Sequence, residues 1–285
     1  MRKAFAALGA VALAATLAAC GAPSETARNG GADQEGLTTL RVGVNPVPHG
    51  EILRYVQENL AADAGLNLEI VEIADYNQPN QQLAQGELNA NYFQHRTFLE
   101  EWQKANPGDE LVYVSDVHVE RLGLYSRKHE SSADLPEGAE IAVPNDAANL
   151  DRALRTLEAE GLITVDPEAG ALATESDITD NPRGITVTPL EAAQLPRSLD
   201  DVDAAVVNGN YAIEANLTET ANELAWEPSD SPDYIEKYAN GLVVRAEDVD
   251  DPAIRTLSEL LRSDEVREYI EQTWQGVVYP VGDRE

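Results

Sequence analysis

The run LRVGVNPVPHG (40–50), followed by EILRYVQENLAAD (51–63), reads as a strand that stops and hands over to a helix. Leu40, Val42 and Val44 alternate as a pleated strand requires, and Pro46 and Pro48 lack the N–H that would continue its ladder. Ile52, Leu53 and Val56 then recur at helical spacing. Beyond Gly65 comes a second strand, Leu68 to Ile73, then a polar turn DYNQPN (75–80), a helix NQQLAQGE (80–87) and a third strand within LNANYFQH (88–95). A βαβαβ rhythm implies a parallel sheet covered by helices, and such sheets bind ligands beyond the carboxyl ends of their strands. Those ends fall at Pro46–Gly50, Tyr76–Asn80 and Phe93–His95.

The rhythm then restarts. Leu111 to Arg127 reads as long extended chain and Glu140 to Val143 as a fresh strand. It runs through Pro144-Asn145-Asp146 into a helix from about Asn149 to Glu160, closed by Gly161. Ile185–Pro189 and Asp203–Val207 supply further strands. Leu242–Arg245 starts a last one, and amphipathic helices fill Asp251 to Trp274. This order describes an α/β chain in two lobes joined by two crossovers, with 38–122 plus 240–285 in one lobe and 123–239 in the other.

Residues 1–19 carry Arg2 and Lys3 and then a short alanine-rich stretch, too short for a membrane span and suited to a secretory signal. Leu17-Ala18-Ala19-Cys20-Gly21 has the form of a bacterial lipobox, so Cys20 is the expected lipidation site and 20–37 a flexible tether. Cys20 is the only cysteine, which leaves none for a disulfide within the chain, for metal ligation or for nucleophilic chemistry. The formal net charge of −31 repels phosphate backbones and anionic headgroups, which argues against nucleic acid and against a peripheral membrane patch. The acids are spread over the whole chain, as on a solvated acidic surface.

Catalysis has no strong candidate: G-x-S-x-G, the P-loop and G-x-G-x-x-G after the first strand are all missing. The four histidines lack metal-site helical spacing, and His118 with Glu120 reads as one face of a strand, so no metal and no cofactor are expected. Strand-end residues are more informative. Tyr76, Tyr92, Phe93 and His95 sit among Asp75, Asn77, Gln78, Asn80, Asn91 and Gln94, which suits a pocket rim, though core packing stays open. Arg152, near the start of its helix, opposes the helix dipole unless it is solvated or aimed at an anion.

DYNQPN (75–80), NANYFQH (89–95), AVPNDAANLDRAL (142–154), QLPRSLDDVDAAVVNGNYA (194–212) and YANGLVVR (238–245) together resemble the methionine-binding lipoproteins of ABC importers, the NlpA/MetQ family. The resemblance implies a two-lobed, type 2 periplasmic-binding-protein-like fold that closes on an amino acid. It implies that Tyr76, Phe93 and His95 surround a thioether and that Arg152 takes the ligand carboxylate in bidentate geometry. Asn208 and Asn240 would hold the backbone amine and carboxylate, with Asn149 or Tyr92 nearby. The partners implied are a membrane permease with a cytoplasmic ATPase; the chain itself is expected to be a monomeric, non-enzymatic lipoprotein on the extracytoplasmic face. Other cargo of the same kind, an apolar amino acid or a methionine-containing peptide, stays open, as does a surface adhesin that keeps the fold. Two positions depart from the family pattern. Arg121 stands where VHVE is usually followed by proline, and Ala148 where a threonine commonly precedes the asparagine.

So large a net charge strains a compact fold less where salt screens it, which makes a saline habitat a hypothesis. Raising ionic strength from about 0.01 to 0.15 M shortens the screening length from about 30 to 8 Å, so the thermal midpoint should rise; a flat midpoint would count against this reading.

Overall fold

The computed structural model describes residues 36–170 and 172–282. The leader, Cys20 and nearly all of the tether lie outside the described residues. The chain first lays down β1 (Thr38–Val44), β2 (Leu66–Glu72), β3 (Ala90–His95) and β4 (Leu111–Glu120). It then builds β5 (Gly123–Ser126), β6 (Glu140–Pro144), β7 (Thr164–Val165), β8 (Ile178–Asp180), β9 (Thr186–Leu190), β10 (Ala204–Val207) and β11 (Asn222–Trp226). A return leg adds β12 (Ala239–Arg245) and β13 (Val278–Pro280).

Two large sheets result, one per lobe. The first has the order β13-β4-β12-β3-β1-β2, with the late strand β12 inserted between β3 and β4. β1 runs parallel to β2 and β3, whereas β12 is antiparallel to both of its neighbours. The second sheet has the order β11-β5-β10-β6-β9, and β7 pairs with β8 in a separate ribbon. The expected extended run 111–127 is therefore two strands in two sheets. It breaks at Arg121-Leu122, where the chain passes between lobes, and it returns through 227–238.

Period-two alternation decides which side chains form each core. Leu40, Val42 and Val44 of β1 pack with Ile52, Leu53 and Val56, and with Leu257, Leu261 and Ile270 from the C-terminal helices. In the second lobe Ala204 and Val206 face the helix residues Ala153, Leu154 and Leu157. Ala205 and Val207 face Leu195 and Leu199 on the other side. Each fully buried leucine or valine contributes roughly 1.5–3 kcal/mol of transfer free energy.

The helix expected from Asn149 begins two residues earlier, at Ala147, because the Asp146 side chain accepts from the Asn149 N–H and caps it. Arg152 consequently lies in the second turn rather than the first. Among the described residues no helix is long and apolar enough to cross a membrane.

The lobes are shut against one another. Tyr211 OH donates to the carbonyl of Ala74 at 3.0 Å, and Asn77 Nδ2 donates to Glu191 Oε2 at 3.2 Å. Next to the cleft, β12 shifts register between Asn240 and Gly241, and the lack of a side chain at Gly241 admits Tyr113, whose hydroxyl donates to the Ala239 carbonyl at 2.7 Å. A Cβ at Gly241 would collide with the Ser115 carbonyl and the Tyr113 ring. Gly241→Ala should cost at least about 1–3 kcal/mol of stability, read as a lower thermal midpoint; an unchanged midpoint would contradict this close approach.

Candidate ligand-binding cavity

The two sheets meet around a small cavity lined by residues of both lobes. One wall is aromatic. Phe93 and His95 end β3, Phe98 follows in the first turn of the helix Arg96–Ala105, and Tyr76 comes from the turn after β2. The ring centroids of Tyr76, Phe93 and Phe98 lie 5.7–5.9 Å apart pairwise. The His95 ring is fixed in orientation. Its Nδ1 accepts from the Phe98 N–H at 3.2 Å, so Nε2 carries the hydrogen, toward Asn149 Oδ1 at 3.3 Å. Burial and the nearby Arg152 charge hold its pKa down to about 3, so the ring is neutral.

The opposite wall is polar and comes from both lobes. Glu120 ends β4 and Asn240 lies in β12, while Asn208, Gly209 and Asn210 follow β10. Tyr76 OH reaches across the cleft to Asn210 Oδ1 at 2.6 Å, which leaves the Asn210 amide nitrogen as donor. Asn210 Nδ2 and Asn208 Oδ1 are buried without a hydrogen-bond partner among the described residues. Left unsatisfied, such groups each cost about 1–3 kcal/mol.

Arg152 reaches the cavity but is already held. Its Nε and one terminal nitrogen each sit 2.7 Å from an oxygen of Glu227, and that same nitrogen donates to the Glu120 carbonyl at 3.1 Å. The other terminal nitrogen donates to Asn149 Oδ1 at 3.2 Å, and the Tyr234 hydroxyl also lies close enough to interact with the guanidinium. The bidentate face expected to meet a ligand carboxylate is thus occupied by Glu227. Burial alone would lower the arginine's pKa, but the Glu227 charge and hydrogen bonds outweigh it and the pKa is raised.

Asn149 lines the cavity, yet both ends of its amide are engaged. Nδ2 donates to the Asp146 carboxylate at 2.9 and 3.0 Å, and Oδ1 faces Arg152 and His95. Tyr92 does not line the cavity. Successive strand residues point to opposite faces, so Tyr92 turns into the first-lobe core while Phe93 turns to the cleft. Arg121 does not enter the cavity either. Its Nε and a terminal nitrogen donate to the Glu227 carbonyl at 3.0 and 2.7 Å, tying the two interlobe passages together. Nothing in the structure gives Ala148 more than a buried place in its helix.

Of the expected site residues, Tyr76, Phe93, His95, Asn149, Arg152, Asn208 and Asn240 therefore converge on one cavity, and Tyr92 lies behind it. The unforeseen lining residues include Phe98, Glu120 and Asn210. Phe98 and Asn210 carry a local signal, three residues after His95 and two after Asn208. Glu227 carries none, being one acid among 51 and 75 positions from the arginine it holds.

The arrangement offers a cation, a carboxylate, free amide groups and an aromatic wall around one cavity. A family model described as NlpA lipoprotein matches residues 40–282. The D-methionine-binding lipoprotein MetQ of Escherichia coli O157:H7 is 34% identical over 276 residues, 96% of each chain. A nutrient binding protein from Burkholderia cenocepacia bound to methionine superposes with a TM-score of 0.79 at 40% identity, over 85% of this chain and 99% of that one. A periplasmic substrate-binding protein of an ABC transporter from Coxiella burnetii does so with a TM-score of 0.77 at 36% identity, over 85% and 100%. With a single family model spanning nearly all the described residues, and relatives matched over almost their full length, this chain belongs to the NlpA lipoprotein family.

Proposed function

We propose that this chain is a solute-binding lipoprotein that captures methionine between its lobes and delivers it to an ABC importer. The observation that carries the reading is the pair of buried, unpartnered amide atoms, Asn208 Oδ1 and Asn210 Nδ2, beside Glu120, Arg152 and an aromatic wall. An acceptor and a donor left open inside one cavity suit a molecule carrying both an ammonium and a carboxylate. A zwitterion leaving water loses several kcal/mol per charge unless each end is paired and hydrogen-bonded. Glu120 and Asn208 Oδ1 would take the ammonium; the Arg152 charge, Asn210 Nδ2 and Asn240 would take the carboxylate. Tyr76, Phe93, Phe98 and His95 would surround the side chain, each sulfur–aromatic contact adding about 0.3–1.5 kcal/mol. Asn149 would act indirectly, by orienting Arg152 and His95. The methionine carried by the Burkholderia cenocepacia relative supports this choice of cargo.

Closure follows from the same assignment. Residues of 38–122 plus 240–285 and residues of 123–239 would contact one solute, so its binding free energy favours the shut form. That form would dock on a permease driven by a cytoplasmic ATPase. Lipidation at Cys20 would keep the monomer at the extracytoplasmic face of the membrane, and the chain would bind its cargo without transforming it.

Methionine at about 100 times its Kd should stabilise ligand-stripped protein by roughly 2.7 kcal/mol, read as a rise in thermal midpoint, and Arg152→Ala should abolish the rise. No rise with either L- or D-methionine would refute the cargo; a rise with leucine but not methionine would assign another apolar amino acid.

A further inference from the structure

Behind the polar wall of the cavity runs a chain of buried side chains that the ligand assignment leaves unexplained. Tyr92 OH meets His118 Nδ1 in a short hydrogen bond. His118 Nε2 lies 2.6 Å from Glu120 Oε1, and His49 Nε2 lies 3.4 Å from that same oxygen. His49 Nε2 also lies 3.1 Å from Asn240 Oδ1. The His49 ring packs edge-on to both Tyr92 and His118 at 4.8 Å. None of the three is more than 1% exposed. The chain ends on two residues of the cavity, Glu120 and Asn240.

We propose that Tyr92, His118 and His49 are positioning residues that set the polarity of the site, holding Glu120 as an acceptor for the ligand ammonium and turning the Asn240 amide N–H₂ toward the ligand carboxylate. The proposal rests on the zwitterion reading above and deepens it.

Hydrogen-bond bookkeeping leads there. A neutral imidazole has one donor and one acceptor, and an ionised carboxylate only accepts. His118 must then carry its hydrogen on Nε2, toward Glu120, and Nδ1 accepts from Tyr92. His49 Nε2 faces two acceptors, the Glu120 carboxylate and Asn240 Oδ1, while its Nδ1 forms no well-aligned hydrogen bond among the described residues, although the Val47 backbone lies near enough to act on the ring. Its hydrogen therefore sits on Nε2, the Asn240 carbonyl accepts it, and the amide nitrogen is left for the cavity. Burial brings the pKa of His49 down to about 4 and that of His118 to about 3, so both rings stay neutral. The pKa of Glu120 is raised, burial outweighing the pull of His49, the Asn210 backbone N–H and Arg152 toward the charged form, and the ammonium of a bound zwitterion would favour that form. Its Oε1 faces the histidines; Oε2 lies beside Gly209 of the cavity lining, where an added Cβ would come within 3.1 Å of it.

His49, His118 and Glu120 are also a set whose ligand atoms lie within 4.8 Å of one another, close enough for a metal ion. Tetrahedral zinc at 2.0–2.1 Å from each atom would hold them about 3.3 Å apart, whereas His118 Nε2 and Glu120 Oε1 stand at 2.6 Å, a hydrogen bond.

The test is calorimetry on ligand-stripped wild type, Tyr92→Phe and His49→Phe, with L-methionine and with 4-(methylthio)butanoate, which lacks the amine. Tyr92→Phe keeps the ring in the core and should weaken L-methionine about three- to tenfold while leaving the amine-free analogue unchanged. His49→Phe, which frees the Asn240 amide to turn, should weaken both. In ¹⁵N-histidine NMR at pH 7, wild-type His49 and His118 should appear as neutral Nε2–H tautomers. Equal weakening of both compounds by Tyr92→Phe, Nδ1–H tautomers, or stoichiometric Zn²⁺ lost on His118→Ala would overturn the proposal. A wild type that ignores methionine refutes the cargo alone, and the ring tautomers then still decide the relay.

Discussion

The ion pair between Arg152 and Glu227 is the contact on which the cavity's geometry depends. Both side chains are almost wholly buried, and taking two charges from water is expensive enough that such pairs seldom add net stability. Here further hydrogen bonds offset that cost. The Glu227 carboxylate also accepts from Tyr234 OH at 2.8 Å and from the Leu122 N–H at 3.2 Å. The Arg152 guanidinium additionally stacks over the Tyr238 ring at 4.5 Å. Because Glu227 opens the second interlobe passage and Leu122 lies in the first, the pair joins the helix carrying Arg152 to both passages. What the pair yields is orientation, a guanidinium held in place at the cavity wall.

That restraint changes how the site achieves selectivity. A free guanidinium would grip any small carboxylate with two parallel hydrogen bonds. With its fork already filled, Arg152 can offer a ligand little more than charge, so recognition would be shared among the amides. Three of these amides are in turn held by a neighbouring side chain. Tyr76 sets Asn210, Asp146 sets Asn149, and His49 sets Asn240. A site built this way discriminates by donor and acceptor placement as well as by shape.

Much of this geography was legible in the sequence for a simple reason. Parallel strands end at the cleft, so polar and aromatic residues after β2, at the end of β3 and after β6 gather there, as Tyr76, Phe93, His95 and Arg152 do, whereas none of Pro46–Gly50 after β1 lines the cavity. The partners were not legible, because pairing between Arg152 and Glu227, or between Tyr92 and His118, depends on three-dimensional closure over long separations. Tyr92, expected at or near the site with core packing left open, lies in the core, since a neighbour of Phe93 in sequence faces the opposite side of the sheet. Asn149 was placed in the cavity, but that its amide would be consumed by the Asp146 cap could not be seen without the helix start. β7, β8 and β13, two or three residues each, are too short to show a period.

The central claim is that one cavity pairs both charged ends of a small amino acid. Titration calorimetry comparing L-methionine with its methyl ester and its N-acetyl derivative tests this most directly, since each derivative neutralises one end and leaves the thioether intact. The account predicts that both lose at least about 100-fold in affinity, as expected when a buried charged partner is left unpaired. Binding of either derivative as tight as that of methionine itself would contradict it.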